Sequence, residues 1–322
     1  MQKTVNRLNQ PWTARTNQAK TLASPIAIRL AFVLLPLALS LPAVALQPPD
    51  AAYLESFEKW KAELVDDLKQ RWLVLAGLFW LKPGASAFGT AEDNAIIIPS
   101  GPAHAGSFHL ENGKVSVEFR TEAQAKIDGK VVSSANLEND ENGRPTVIEM
   151  GSLQIYVIRR GQRLGIRVRD MNSSAVRLYR GPVFFPLDMD YRVTATFSPA
   201  DGKKTVDVPN VLGEVTPTPS PGEVHFKLKG RELTLTALSG DPARGISFVI
   251  SDLTSKTDTY PGGRFLDTDP VVNGKVVLDF NRAYSPPCAV TPYATCPLAP
   301  KENRLPVAIY AGERYDRKRA SH

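Results

Sequence analysis

From Asp50 the chain reads DAAYLESFEKWKAELVDDLKQRW, and Tyr53, Phe57, Trp60, Leu64 and Leu68 recur at spacings of three and four. That period puts one apolar stripe on a helix whose opposite face carries Glu, Lys and Asp. Asp50 suits the N-cap, because its carboxylate can accept from the free amides of the first turn. The stripe is expected to pack on the chain's own core. The period then changes. Val74 to Leu81, VLAGLFWL, is a continuous apolar run closed by Pro83-Gly84, the pattern of a buried strand.

Beyond that point strand signals dominate. FHLENGKVSVEF alternates on both sides of Asn112-Gly113, a pair that tolerates positive φ and so marks a tight hairpin. Asp128-Gly129 and Asn273-Gly274 sit in similar settings. YVIRRGQRLGIRVRD turns at Arg160-Gly161-Gln162, FKLKGRELTLTAL turns at Lys229-Gly230, and GISFVIS is a further strand. The fold class predicted is mainly β: an antiparallel sandwich or barrel-like single domain with an N-terminal amphipathic helix. Pro217, Pro219 and Pro221 read as a rigid loop within it, since strands of the same character continue on both sides.

Ahead of the helix lies LAFVLLPLALSL, residues 30–41, preceded by basic residues and followed by Ala43-Val44-Ala45. This is the order of a secretory signal peptide, and the run is shorter than the ~20 residues a spanning helix needs. Residues 1–45 are therefore expected to be a Sec-type signal peptide and 46–49 a linker. The folded domain is expected over 50–314, and a disordered basic tail over 315–322. The mature chain is expected to be periplasmic or secreted and free of the membrane after cleavage. The net charge of +6 changes meaning in this light. The leader holds Lys3, Arg7, Arg15, Lys20 and Arg29 with no acid, so the rest of the chain is almost neutral. That argues against a nucleic-acid partner, which needs a concentrated basic face, and none is expected.

Three segments offer chemistry. In RLGIRVRD, Arg163, Gly165, Arg167 and Arg169 share one face of a strand while Leu164, Ile166 and Val168 share the other. Such a face could grip a carboxylate or phosphate, or could be a solvated surface. Asp170 ends the strand and either orients an arginine or caps the turn. In FFPLDMDYRV, Asp188 and Asp190 could act as acid and base, although turn chemistry after Pro186 is the commoner use. The segment 279–313 carries six prolines, Cys288 and Cys296, together with Asn281, Tyr284, Tyr293, Glu302, Asn303 and Arg304. In an exported chain, two cysteines at this separation are expected to form a disulfide. No common zinc spacing fits them, and no histidine base can be assigned to a catalytic thiol. The four histidines are scattered, and phosphate-loop, dinucleotide, G-x-S-x-G and H-E-x-x-H motifs are lacking. Neither a metal nor a cofactor is implied.

The stretches RWLVLAGLFWLKPG, GIRVRD, FFPLDMDYRV, GGRFL and NRAYSPPCAVTPYATCPLAPKENRLPVAIYAGE resemble the bacterial and archaeal family named domain of unknown function 1684. The resemblance runs from about Tyr53 to Arg314 and brings no activity with it. It implies that the final block, with Arg167, Arg169, Asp170 and Arg264, forms the functional centre. The function expected is binding of a small anionic ligand by Arg167, Arg169, Asp170, Arg264, Asn281, Tyr284, Tyr293, Glu302 and Asn303. A hydrolase using Asp170, Asp188 or Glu302 is one alternative, and a structural protein of the cell envelope is another.

The leader yields a direct test. N-terminal sequencing of protein from the native host should begin at Leu46, because Ala43 and Ala45 suit the peptidase subsites. An intact leader recovered with the membrane fraction would refute cleavage.

Overall fold

The N-terminal helix forms as its period requires. In the computed structural model, which describes residues 48–315, it spans Ala51–Asp67 and Asp50 caps it, accepting from the Tyr53 amide at 2.7 Å. A π-helical turn, Leu68–Trp72, carries the helix into the first strand. Of the apolar stripe, Tyr53, Phe57 and Leu68 are buried. The Phe57 and Trp60 rings meet Phe184 edge-on, and Trp60 also reaches Tyr284. The Tyr53 hydroxyl donates to the Asp279 carboxylate at 2.9 Å. The stripe therefore docks on the chain's own C-terminal half.

Apart from a short helix, Ser174–Leu178, and several 3-10 turns, the rest is β, its strands paired antiparallel save one short parallel pairing, and the sheets do not close into a barrel. A six-stranded sheet runs in the order Leu75–Trp80, Arg163–Asp170, Leu153–Arg160, Ile148–Met150, Lys126–Ile127, Lys130–Val131. A five-stranded sheet built around Gly84–Gly89, Gly106–Glu111 and Lys114–Phe119 faces it. Between them lies a core of Phe88, Phe108, Val117, Ile155, Ile166 and Val168, with others. A second core gathers a four-stranded sheet (Arg231–Thr236, Gly222–Leu228, Arg192–Pro199, Lys275–Asp279) and a three-stranded one (Ser239–Asp241, Gly245–Ile250, Arg264–Asp267). Residues 305–311 add Leu305, Val307, Ile309 and Ala311 to it. Both cores belong to one compact unit that takes in all the described residues.

The hairpins turn where the dipeptides place them. Asn112 and Gly113, Asp128 and Gly129, Lys229 and Gly230, and Asn273 and Gly274 all adopt positive φ, the conformation that lets a two-residue turn follow strand twist. The predicted rigid loop is instead a β-ribbon. Val215–Pro219 pairs with Thr205–Pro209, and its prolines are tolerated because an edge strand has donors to spare.

The signal peptide expected over 1–45 lies outside the described residues, as does the tail beyond Tyr315. Tyr315 itself is tied to the fold: its amide donates to the Asp258 carbonyl and its ring meets Tyr260 edge-on. Among the described residues no helix is long and apolar enough to cross a membrane.

Phe57 is 4% exposed and anchors the helix. Phe57→Ala should cost about 3–4 kcal/mol in urea unfolding, the range for emptying an aromatic core site. Glu58→Ala, on the outer face, should change stability by less than ~0.5 kcal/mol. Equal effects would place the helix off the core.

Candidate functional site

Alternation along Arg163–Asp170 sends Leu164, Ile166 and Val168 into the first core and leaves Arg163, Gly165, Arg167 and Arg169 on the outer face. Gly165 matters for a steric reason. A Cβ there would stand 2.9 Å from Cε3 of Trp80, so only glycine lets the indole lie on the strand. The Arg163 guanidinium in turn covers that ring, 4.0 Å from its centroid.

The proline-rich block crosses this arginine face. Arg160 Nε donates to Thr295 Oγ1 at 3.1 Å, and Arg167 Nη2 donates to the Tyr293 carbonyl at 3.3 Å. The block is held from its far side too, by the Val211 amide on the Cys296 carbonyl and the Leu298 amide on the Pro209 carbonyl. These contacts leave a cleft of about 440 Å³, lined among others by Leu78, Trp80, Leu212, Tyr260, Cys288 and Tyr293. Arg167 stands behind this wall and is 5% exposed. Its Nε has no partner, and it forms no ion pair among the described residues. A buried guanidinium without a counter-charge is costly, so Arg167 gives the cleft a positive field in a low-dielectric setting.

The two cysteines meet at this wall, but the expected disulfide is not present. Cys288 and Cys296 are free thiols, not at disulfide distance. Each sulfur instead accepts the other's backbone amide, Cys288 N to Cys296 Sγ at 3.2 Å and Cys296 N to Cys288 Sγ at 3.4 Å. Cys288 is half-buried and Cys296 buried. The Cys296 thiol hydrogen bond, then the Cys296 amide and the Arg167 charge, hold the Cys288 thiol below the usual range against the opposing effect of burial. The hydrogen bond with Cys288, followed by burial, pushes Cys296 up. Tyr260, beside both, is pushed up to about 12, first by burial and then by the two cysteines.

Of the residues expected to bind ligand, the structure brings Arg167 and Tyr293 together here. The others hold the fold. Arg169 bonds Gln154 and the Gln70 carbonyl, fastening the helix end to the sheet. Asp170 caps its turn through the Asn172 amide and takes the Ser152 hydroxyl. Arg264 is 0% exposed and pairs with Asp252 at 2.9 Å. Asn281 bonds both the amide and the carbonyl of Asp188. The Tyr284 hydroxyl donates to Asp267. Asn303 clasps the Thr236 amide and carbonyl, and Glu302 is exposed beside Lys301. Sequence reasoning missed Trp80, Leu212 and Tyr260. Only Trp80 carried a signal, as the cross-strand partner that Gly165 makes room for.

Glu313 was not singled out either. Its carboxylate is buried and accepts the Ser285 amide at 2.7 Å. Burial raises it from 4.5 to about 7, outweighing the Ser285 bond and the Arg264 charge. In the folded chain it keeps its proton up to about pH 7, whereas the unfolded chain releases it near pH 4.5. Its stabilising contribution is complete below pH 4.5 and is lost as pH rises through 7. Glu313→Gln keeps an acceptor for Ser285 but cannot ionise. The variant should gain on wild type between these limits, by about 3 kcal/mol at pH 8. A stability difference independent of pH would show that Glu313 does not titrate there.

A family profile described as a protein of unknown function, DUF1684, matches residues 177–314. The match is narrower than the span read from Tyr53, so the arginine strand lies outside it and the C-terminal wall of the cleft inside. A similar solved structure is that of an uncharacterized protein from gene locus rrnAC0354 of Haloarcula marismortui, determined by solution NMR. It is 32% identical, with 44% of this chain and 79% of that chain covered and a TM-score of 0.37. A search of curated proteins finds no match. The profile match supports the resemblance to the DUF1684 family of proteins of unknown function, over residues 177–314.

Proposed function

We propose that the protein binds a small anionic molecule in the cleft between the arginine strand and the proline-rich block. The observation that carries this reading is Arg167, a guanidinium 5% exposed with one carbonyl partner and no ion pair among the described residues. Buried charges elsewhere in proteins are paired, and an unpaired one beside a cavity is a place where a ligand's charge completes the balance. Arg163, stacked on the Trp80 ring that lines the cleft, adds a second positive group nearby. Leu78, Leu212 and the aromatic rings favour a ligand with an apolar or planar body behind its carboxylate or phosphate. The leader supports the further reading that binding occurs outside the cytoplasm. The hydrolase alternative finds no acid–base pair here: Asp170, Asp188 and Glu302 do not line the cleft, and the first two are spent on capping.

Arg167→Met separates these roles. Removing an uncompensated buried charge should leave the ligand-free chain as stable as wild type or more so, by up to ~1–2 kcal/mol. It should also abolish the rise in melting temperature that small aromatic carboxylates and phosphates give wild type. Calorimetry should show at least a ~10-fold loss of affinity, since a buried charge-assisted contact is worth 2 kcal/mol or more. A strongly destabilised variant, with anions having no effect on wild type, would make Arg167 a structural residue and end the proposal.

A further inference from the structure

The chain has two cysteines, and the fold places them against each other at the wall of the cleft, 3.2 and 3.4 Å apart measured amide to sulfur. We propose that Cys288 and Cys296 are a redox-active dithiol, with Cys288 attacking small disulfides that enter the cleft and Cys296 resolving the product. Three features of geometry carry this. The sulfurs differ in access: Cys288 lines the cleft, and Cys296 is 5% exposed behind it. Each sulfur has a backbone amide aimed at it and both lie in the field of the Arg167 guanidinium, so a negative sulfur is met by donors already in place. The backbone that holds them is stiff. Pro286 and Pro287 lead into the single turn Pro287–Ala289 that carries Cys288, and Pro297 follows Cys296 directly.

The same features separate this pair from a structural bridge. A thiolate met by donors is both a ready nucleophile and a ready leaving group, so the bonds it forms exchange quickly. A bridge meant only to staple a loop gains nothing from a cation beside it.

The chemistry balances with a disulfide R–S–S–R as the oxidant. The Cys288 thiolate attacks one sulfur, the R–S–S–R bond breaks, and R–S⁻ leaves, giving Cys288–S–S–R. Cys296 then yields its proton to the released thiolate and attacks the Cys288 sulfur. The second R–S⁻ leaves and takes up a proton from solvent, and the Cys288–Cys296 bond forms. Two electrons pass from the dithiol to the substrate, which becomes two thiols. The sulfurs must approach from their present separation for the last bond to close.

The test uses the reduced full chain and cystine, followed by intact mass. Wild type should lose the mass of two hydrogens and retain no cysteinyl adduct. Cys296→Ser should stop at one cysteinyl group on Cys288. Cys288→Ser should react at least ~10-fold more slowly, as expected for a buried thiol without thiolate character. A short iodoacetamide pulse on native wild type, which needs no variant, should label the Cys288 peptide ahead of the Cys296 peptide by a similar ratio. Equal rates at the two positions would overturn the proposal. So would a native chain inert to cystine while the urea-unfolded chain reacts. None of these readouts depends on anion binding, so the ligand reading can fail without this one.

Discussion

A guanidinium with no exposed surface has to find its counter-charge and its acceptors inside the protein, and Arg264 does so in a way that sets the path of residues 305–311. Its partner Asp252 is as buried as it is, at 2.9 Å. Arg264 also donates to the Ile309 and Ala311 carbonyls, while Asp252 accepts from the Thr254 and Ile309 amides. Three segments distant in sequence are thereby bound to one ion pair. Removing a member of such a pair leaves a buried charge uncompensated, at a cost of about 3–5 kcal/mol. The segment 305–311 cannot drift from the second core while the pair stands.

The cleft follows from that anchorage. Tyr284 is paired with Phe265 before the proline-rich block, and Leu305 and Asn303 are bonded to Ser251 and Thr236 after it. The block is thus suspended between fixed ends and meets the arginine face through few contacts, chiefly Arg160 on Thr295 and Arg167 on Tyr293. Prolines lack a donor and have a fixed φ, so the block neither adds a strand to the sheet nor collapses onto it. An open space with rigid walls is the result. Cys288 and Cys296 share that rigidity, because their partners are backbone amides of the block itself.

What could be read in the sequence was local. The helix from Ala51 and the turns at Asn112-Gly113 and Lys229-Gly230 depend on residues a few positions apart, and they stand where the patterns put them. The alternation of RLGIRVRD told which side chains enter the core, because strand period needs no partner to be known. The site was legible only in part. Arg167, Arg169 and Arg264 look alike as strand arginines. Their roles are decided by Tyr293, Gln154 and Asp252, residues that no local pattern links to them. Asn303 reads as a polar loop residue until Thr236, 67 positions away, is seen bonded to it through both its backbone amide and its carbonyl. The cysteines were misread for a related reason. Compartment and spacing argue for a bridge, but the reciprocal amide-to-sulfur bonds that favour free thiols are a property of the folded loop.

Arg264 and Arg167 therefore pose one electrostatic problem with two solutions. Both guanidiniums are nearly or wholly inaccessible, at 0% and 5%. Arg264 is neutralised within the chain, and its charge is spent on architecture. Arg167 is left positive beside a cavity and a thiol pair, in a medium where charge is poorly screened. On the proposals above, it would favour a negative group at the cleft wall, whether a ligand's carboxylate or the Cys288 sulfur itself. If one guanidinium serves both, the two anions draw on the same field. An occupied cleft would leave Cys288 less inclined to ionise, and a thiolate at Cys288 would weaken the hold on an anionic ligand to the same extent, as linkage requires. The position of a single unpaired arginine thus couples what the cleft can hold to the state of the sulfur at its wall.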